Sequence, residues 1–266
     1  MIDLVRSELL KLRTTRTMWG LLIGLVPFVA LNAFINFATY AFINRENEVR
    51  AGRTPPPELT DPQAIRGVLS GAISAKTLVL VLGILLITSE YRHMTVTPTF
   101  LAAPRRSLVV AAKLIAAALV GAAFGIIAVA VAILTGYISY AFKGETFTPA
   151  VDKAPQAILG IILVITIYMV IGIGVGTLLR NQVAAVLVAV GWSLAAEGII
   201  SALLGLWSQG ENIYKFFPGN AASTLTEQFT GGFSSLEPWQ GAVVLVLYGL
   251  AFAALGSKLT LSRDVT

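Results

Sequence analysis

The sequence predicts an all-α protein that crosses a membrane six times. Three observations carry that prediction. Of the 266 residues, 56% are hydrophobic and only 12% are charged, about half the ~25% charged share of a soluble domain. Mean hydropathy is +0.80. The apolar residues gather in six stretches of roughly 20 residues or more, the length a helix needs to cross a ~30 Å hydrocarbon core. The alternating ten-residue segments of a membrane barrel are absent. A helix also satisfies its own backbone hydrogen bonds in lipid, as the hydrocarbon core requires.

The elements follow in order within one transmembrane domain, 1–266. In residues 1–16, Ile2, Val5, Leu9 and Leu12 recur at helical spacing, while Asp3, Arg6, Lys11 and Arg13 fall elsewhere. That pattern predicts a basic amphipathic helix lying along the membrane surface. It runs into the first span, 17–43, at Met18 and Trp19, and Trp favours the interface. The outer loop "RENEVRAGRTPPPELTDPQAIR" is Pro-rich and reads as extended and solvated. The second span, 67–88, carries Lys76. A polar stretch, 89–106, joins it to the third span, 107–141. The fourth and fifth spans, 154–179 and 182–206, are separated by a turn so short that they must run antiparallel as neighbours; the fifth carries Glu197. Residues 207–238, "WSQGENIYKFFPGNAASTLTEQFTGGFSSLEP", are aromatic and broken by Gly and Pro. They read as short helices re-entering the outer leaflet, covered by protein or water. The sixth span is 239–257. No internal repeat is visible.

Lysine and arginine orient the chain. With the N-terminus inside, eleven of the nineteen basic residues fall on the inner side, seven fall outside, and Lys76 lies within a span. The bias places both termini in the cytoplasm and the chain in the cell membrane as a multi-pass protein. The net charge of +5 fits contact with anionic lipid rather than nucleic acid. No cleavable signal peptide is evident.

Several chemistries lack their residues. There is no cysteine and only one histidine, His93. A Ser-His pair within the membrane therefore has no base, and sites built on paired His or on Cys have no ligands. No G-x-x-x-x-G-K-[ST] loop is present for nucleotide phosphates. The sequence thus predicts no catalytic residue, no metal and no directly bound cofactor. The small-residue run Gly172 to Gly176, "GIGVG", suits close helix packing.

Two charges fall inside spans. Lys76 lies about ten residues from the outer end of its predicted span, ~15 Å at 1.5 Å per residue, and Glu197 about fifteen residues from the inner end of its own, ~22 Å. Charges at such depth face a cavity or one another. Lys76 and Glu197 are therefore candidates to pair or to line a polar pathway. The alternative is that Lys76 snorkels outward and Glu197 marks an early helix end.

The stretch "SEYRHMTVTPTFLAAPRRSLVVAAK", residues 89–113, resembles the cytoplasmic loop of ATP-binding cassette (ABC) transporter permeases of the type 2 exporter class, ABC-2. Glu90, Tyr91 and Arg92 match that family's acidic-aromatic-basic cluster. Thr95, Ala102 or Ala103, Pro104, Arg106 and Lys113 match the rest of the pattern, while Met94 stands where a small residue is usual. "SELLKLRTTRTMW" before the first span and "FFPGNAASTL" before the last are similar to the family too. The resemblance implies a permease subunit of an ATP-driven exporter, with 89–106 as the coupling loop on a separate ATP-binding cassette ATPase subunit. Glu90, Tyr91, Arg92, His93, Thr95, Arg105 and Arg106 would be the coupling residues, with Glu90 and Arg92 setting the docking register. It also implies a second permease copy, identical or not, and ATP used only by the partner. Spans two and five would line the pathway. Two alternatives stay open: a proton-coupled secondary transporter working through Lys76 and Glu197, though such folds usually carry internal repeats, and a non-transporting anchor or sensor for an ATPase.

Overall fold

The computed structural model describes all residues except 51, 53–54, 93–105, 180, 208–209, 227–235 and 263–266. Among the described residues every regular element is helical, and six helical segments are long and apolar enough to cross a membrane. In chain order they are Arg16–Phe42, Pro62–Arg92, Ser107–Lys143, Ala154–Leu178, Gln182–Gly205 and Pro238–Gly256. A lead helix, α1 (Ile2–Thr14), precedes the first span, α2 (Arg16–Phe42). The third span is one long helix over Arg106–Lys143 and the fourth is Ala154–Leu178.

Two spans depart from a plain helix. The second begins at Pro62, five residues before its predicted start, because Asp61 caps it. The Asp61 carboxylate accepts from the Gln63 amide at 2.7 Å, and Pro62 occupies the first turn, where a missing amide costs nothing. Arg66 and its turn therefore extend beyond the apolar stretch as ordinary helix. A 3-10 turn, Gly71–Ser74, then breaks the span just before Lys76. At its other end the helix runs on to Arg92. Residues 89–92, expected as the start of a loop, are its last turn. The fifth span is likewise interrupted, by a π-helical turn at Trp192–Ala196, and resumes at Glu197 to continue to Gly205. An early helix end at Glu197 is thus not what forms.

Burial decides which spans make the core. In the most apolar windows of the second and fourth spans, 67% and 61% of residues are buried, against 22%, 17% and 22% for the first, fifth and sixth. The two central spans meet backbone to backbone. A Cβ on Gly83 would strike the Met169 carbonyl, and one on Gly172 would strike the Leu80 carbonyl. Without a hydrophobic drive between helices in lipid, such close approach is what holds them together. Gly174 lies in the same way against Phe252 of the sixth span, and Gly176 against Ile84 and Ile87. The packing reading of "GIGVG" therefore holds along its whole length. The third span covers one side of this core, touching the first and fourth spans and α1. The fifth span packs chiefly along the second, more than along the fourth to which its short turn joins it.

At the end away from α1, Tyr140 donates to the Leu59 carbonyl at 2.9 Å and packs tilted against Phe37 and edge-on against Phe147. The prolines of "TPPPE", Pro55 to Pro57, are half-buried rather than fully solvated. After the fifth span come two short helices, Gly210–Tyr214 and Pro218–Leu225. The second is folded back against the fourth and sixth spans, with Asn220, Ala221, Ala222 and Thr224 buried.

Candidate functional site

Two polar clusters stand out in this apolar molecule. The first lies where α1 crosses the ends of the second and third spans. Its face toward the protein carries Glu8 and Leu12, one turn apart and both buried, while Ile2 and Leu10 are exposed. Lys113 of the third span, itself buried, lies 2.6 Å from the Glu8 carboxylate and 2.7 Å from that of Glu90, in the last turn of the second span. Lys11 adds a second cation, 2.6 Å from Glu8 and 3.6 Å from Glu90. Among the described residues, two carboxylates and two ammonium groups thus form a lattice joining three helices. Burial alone would raise the Glu8 carboxyl, but the Lys113 charge and the Lys11 and Lys113 hydrogen bonds overcome it and hold Glu8 below the ordinary carboxylate value. Burial would lower Lys11, and its bond to Glu8 and the charges of Glu8 and Glu90 overcome that and hold it above the ordinary ammonium value.

The lattice grips both roots of the connection between spans two and three. Glu90 is two residues before the helix ends at Arg92, and Lys113 follows two turns after the next helix starts at Arg106. Glu90, expected as a contact for a partner protein, has its carboxylate near Lys113 and Lys11 within the chain. Tyr91 is half-buried and Arg92 is exposed at the helix end. His93, Thr95 and Arg105 lie outside the described residues, and Arg106 opens the third span's helix, its side chain likewise not described.

The second cluster lies among the candidate membrane spans. Lys76 is half-buried at the start of the helical segment after the 3-10 turn, and its ammonium sits 5.2 Å from the centre of the Tyr168 ring of the fourth span. Next to it, the Thr77 hydroxyl shares a 3.0 Å hydrogen bond with Ser193 in the π-helical turn of the fifth span. Glu197, one turn on, is buried, and its carboxylate accepts from the Gly219 amide at 2.5 Å. Gly219 is the second residue of Pro218–Leu225, so Glu197 caps that helix where its amides have no internal partner. A Cβ at Gly219 would strike the carboxylate, so a larger residue there would have to push the Glu197 side chain aside. Lys76 and Glu197 share this region, yet no ion pair within 4.0 Å joins them among the described residues. Glu197 is held by a helix terminus and Lys76 by an aromatic face.

Sequence reasoning pointed to Lys76, Glu90 and Glu197 but missed Glu8, Thr77, Tyr168, Ser193 and Gly219. A signal existed for Glu8 alone: it lies four residues before Leu12 and three after Val5, on the apolar face of α1. Among the described residues no group of three or more His, Asp or Glu gathers as a metal site. No protein-family model matches the chain, and no curated protein matches it.

Proposed function

We propose that the chain is the membrane-spanning permease subunit of an ATP-driven exporter of the ABC-2 class. It works with a separate ATP-binding subunit and a second permease copy in the cell membrane, with both termini in the cytoplasm. The observation that supports this reading best is the ion-pair lattice of Glu8, Lys11, Glu90 and Lys113. A coupling loop that receives force from an ATPase needs both roots tied to a stiff body, and these pairs tie both roots to α1. Tyr91, His93, Thr95 and Arg105 then serve as docking contacts. Glu90, tied to Lys113, also passes movement from the docked loop inward. The lead helix lies along the inner membrane surface, and residues 207–238 re-enter the outer leaflet.

The second cluster supplies the pathway end of the same device. The second and fifth spans are each broken by a non-α turn next to their polar residues, and the Thr77 and Ser193 hydroxyls bridge them there. Broken helices beside polar groups suit a segment with two arrangements. Opening the Thr77–Ser193 contact would expose Lys76 and Tyr168 to a passing cargo.

The test is a gentle detergent pull-down of the tagged full chain from its native membrane, followed by mass spectrometry. Wild type is run beside Tyr91→Ala with His93→Glu, which leaves the lattice intact. A nucleotide-binding ATPase in near-equal amount with wild type, lost in the double variant, supports the reading. Its absence from wild type overturns the permease reading and turns attention to proton-coupled transport.

A further inference from the structure

A cleft of about 570 Å³ opens between α1 and the adjoining ends of the second and fifth spans. That volume is within the ~300–1,000 Å³ of small-molecule sites. Its chemistry is divided. Leu12, Leu82 and Leu86 form an apolar floor, while Lys11, Arg92 and Gln182 stand among the polar groups of the wall.

The charges do not cancel. Glu8 and Glu90 also line the cleft, but both are matched by Lys11 and Lys113. Arg92 is exposed, and no carboxylate lies within 4.0 Å of it among the described residues. Because Lys113, behind the wall, takes up part of the acid charge, Arg92 is the lining charge left without a counter-ion among the described residues. Gln182 adds a second unanswered group: its Oε1 is buried and has no hydrogen-bond donor among the described residues. A buried acceptor left without a donor is costly, and the half-buried Gln182 side chain lines the cleft, so a rotation of its amide turns this oxygen toward a donor there. The depth fits as well. The second span ends at Arg92 and the fifth begins at Gln182, so the wall lies where lipid headgroups meet the hydrocarbon.

We propose that this cleft binds an anionic phospholipid from the leaflet on the α1 side, one whose headgroup carries a hydroxyl beside its phosphate. The phosphate pairs with Arg92, aided by Lys11. The headgroup hydroxyl donates to Gln182 Oε1, and an acyl chain lies on Leu12, Leu82 and Leu86. Basic pockets between spans are the usual place for such headgroups. The lipid then braces α1 against the second and fifth spans, beside the lattice. None of this depends on the chain being a permease.

The test uses the purified full chain in neutral detergent micelles, without any ATPase, and follows thermal unfolding. Dioleoyl-phosphatidylglycerol, dioleoyl-phosphatidic acid and dioleoyl-phosphatidylcholine are titrated separately, with glycerol 1-phosphate as the water-soluble headgroup. The expected result is a rise in Tm of several degrees with phosphatidylglycerol, less with phosphatidic acid, and none beyond baseline with phosphatidylcholine or glycerol 1-phosphate. Arg92→Ala should raise the phosphatidylglycerol concentration needed for a given Tm rise about fivefold, the factor in affinity one basic group contributes beside an anionic surface. Gln182→Leu should erase the advantage over phosphatidic acid. Leu86→Trp should fill the floor and abolish the response. Each variant is first melted in phosphatidylcholine, so that a folding defect is not read as lost binding. Equal shifts with phosphatidylglycerol and phosphatidylcholine overturn the proposal. So does a full response to glycerol 1-phosphate, or a phosphatidylglycerol response that is undiminished in folded Arg92→Ala.

Discussion

Lys113 and Glu8 are 105 positions apart in the chain and 2.6 Å apart in space. Their side chains are only 8% and 5% exposed. A charge pair this deep is costly to form but more costly to break, because the survivor is left buried and uncompensated. Lys113→Ala should therefore destabilise the chain by about 3 kcal/mol, read as a lower midpoint of denaturant unfolding in micelles. Glu8→Ala should cost less, since Lys113 keeps Glu90 at 2.7 Å. The exchange Glu8→Lys with Lys113→Glu should fail to restore full stability, because the carboxylate it places on the third span would face Glu90.

The lattice also fixes a pH response. Four groups face one another: Glu8 and Lys11 on α1, Glu90 on the second span and Lys113 on the third. Glu8 is held below its ordinary value of 4.5. Its contribution is therefore fully present above 4.5 and is lost as pH falls through the lower, folded value. Lys11 is held above 10.5, so its contribution is present below 10.5 and is lost as pH rises through the higher, folded value. The stability difference between wild type and Glu8→Gln should be flat across neutral pH and shrink in acid below 4.5. A difference that changes across neutral pH instead would mean that another group governs the latch.

Glu197 and Gly219 should act as one unit. Gly219→Ala places a methyl group in the Glu197 carboxylate, and Glu197→Leu removes the acceptor from the Gly219 amide. Either change should cost about 1–2 kcal/mol, the worth of a helix cap. The double variant should cost little more than the worse single, because both delete one contact. Additive losses in unfolding midpoint would show that the two residues act separately.

The absence of native cysteine makes a disulfide test clean. Thr77→Cys with Ser193→Cys should cross-link in high yield under mild oxidant, since the native hydroxyls are 3.0 Å apart. If the second and fifth spans part during a transport cycle, the cross-linked chain should lose cargo movement and regain it on reduction. Activity that persists in the cross-linked chain would place the moving boundary elsewhere.

Much of this is legible in the sequence, and the division follows the range of the forces involved. Six spans are determined by local composition, because a run of apolar residues in lipid has helix as its available solution. Glycine spacing in "GIGVG" points to close packing, and the contacts of Gly172, Gly174 and Gly176 bear it out. Charge is a poor guide to the limits of the second span. Arg66 and Glu90 both belong to its helix, the first extended by the Asp61 cap and the second by the lattice.

Tertiary structure alone decided how the charges are used. Lys76 and Glu197 share a depth, and from the sequence they could pair. Their side chains instead meet Tyr168 and Gly219, elements whose approach depends on the 3-10 and π-helical turns in two different spans. Glu8 and Lys113 could be matched only once three helices had crossed. Hydrophobic periodicity is a property of neighbours in the chain. An ion pair between residues 105 positions apart is a property of packing, and packing sets the register that brings them together.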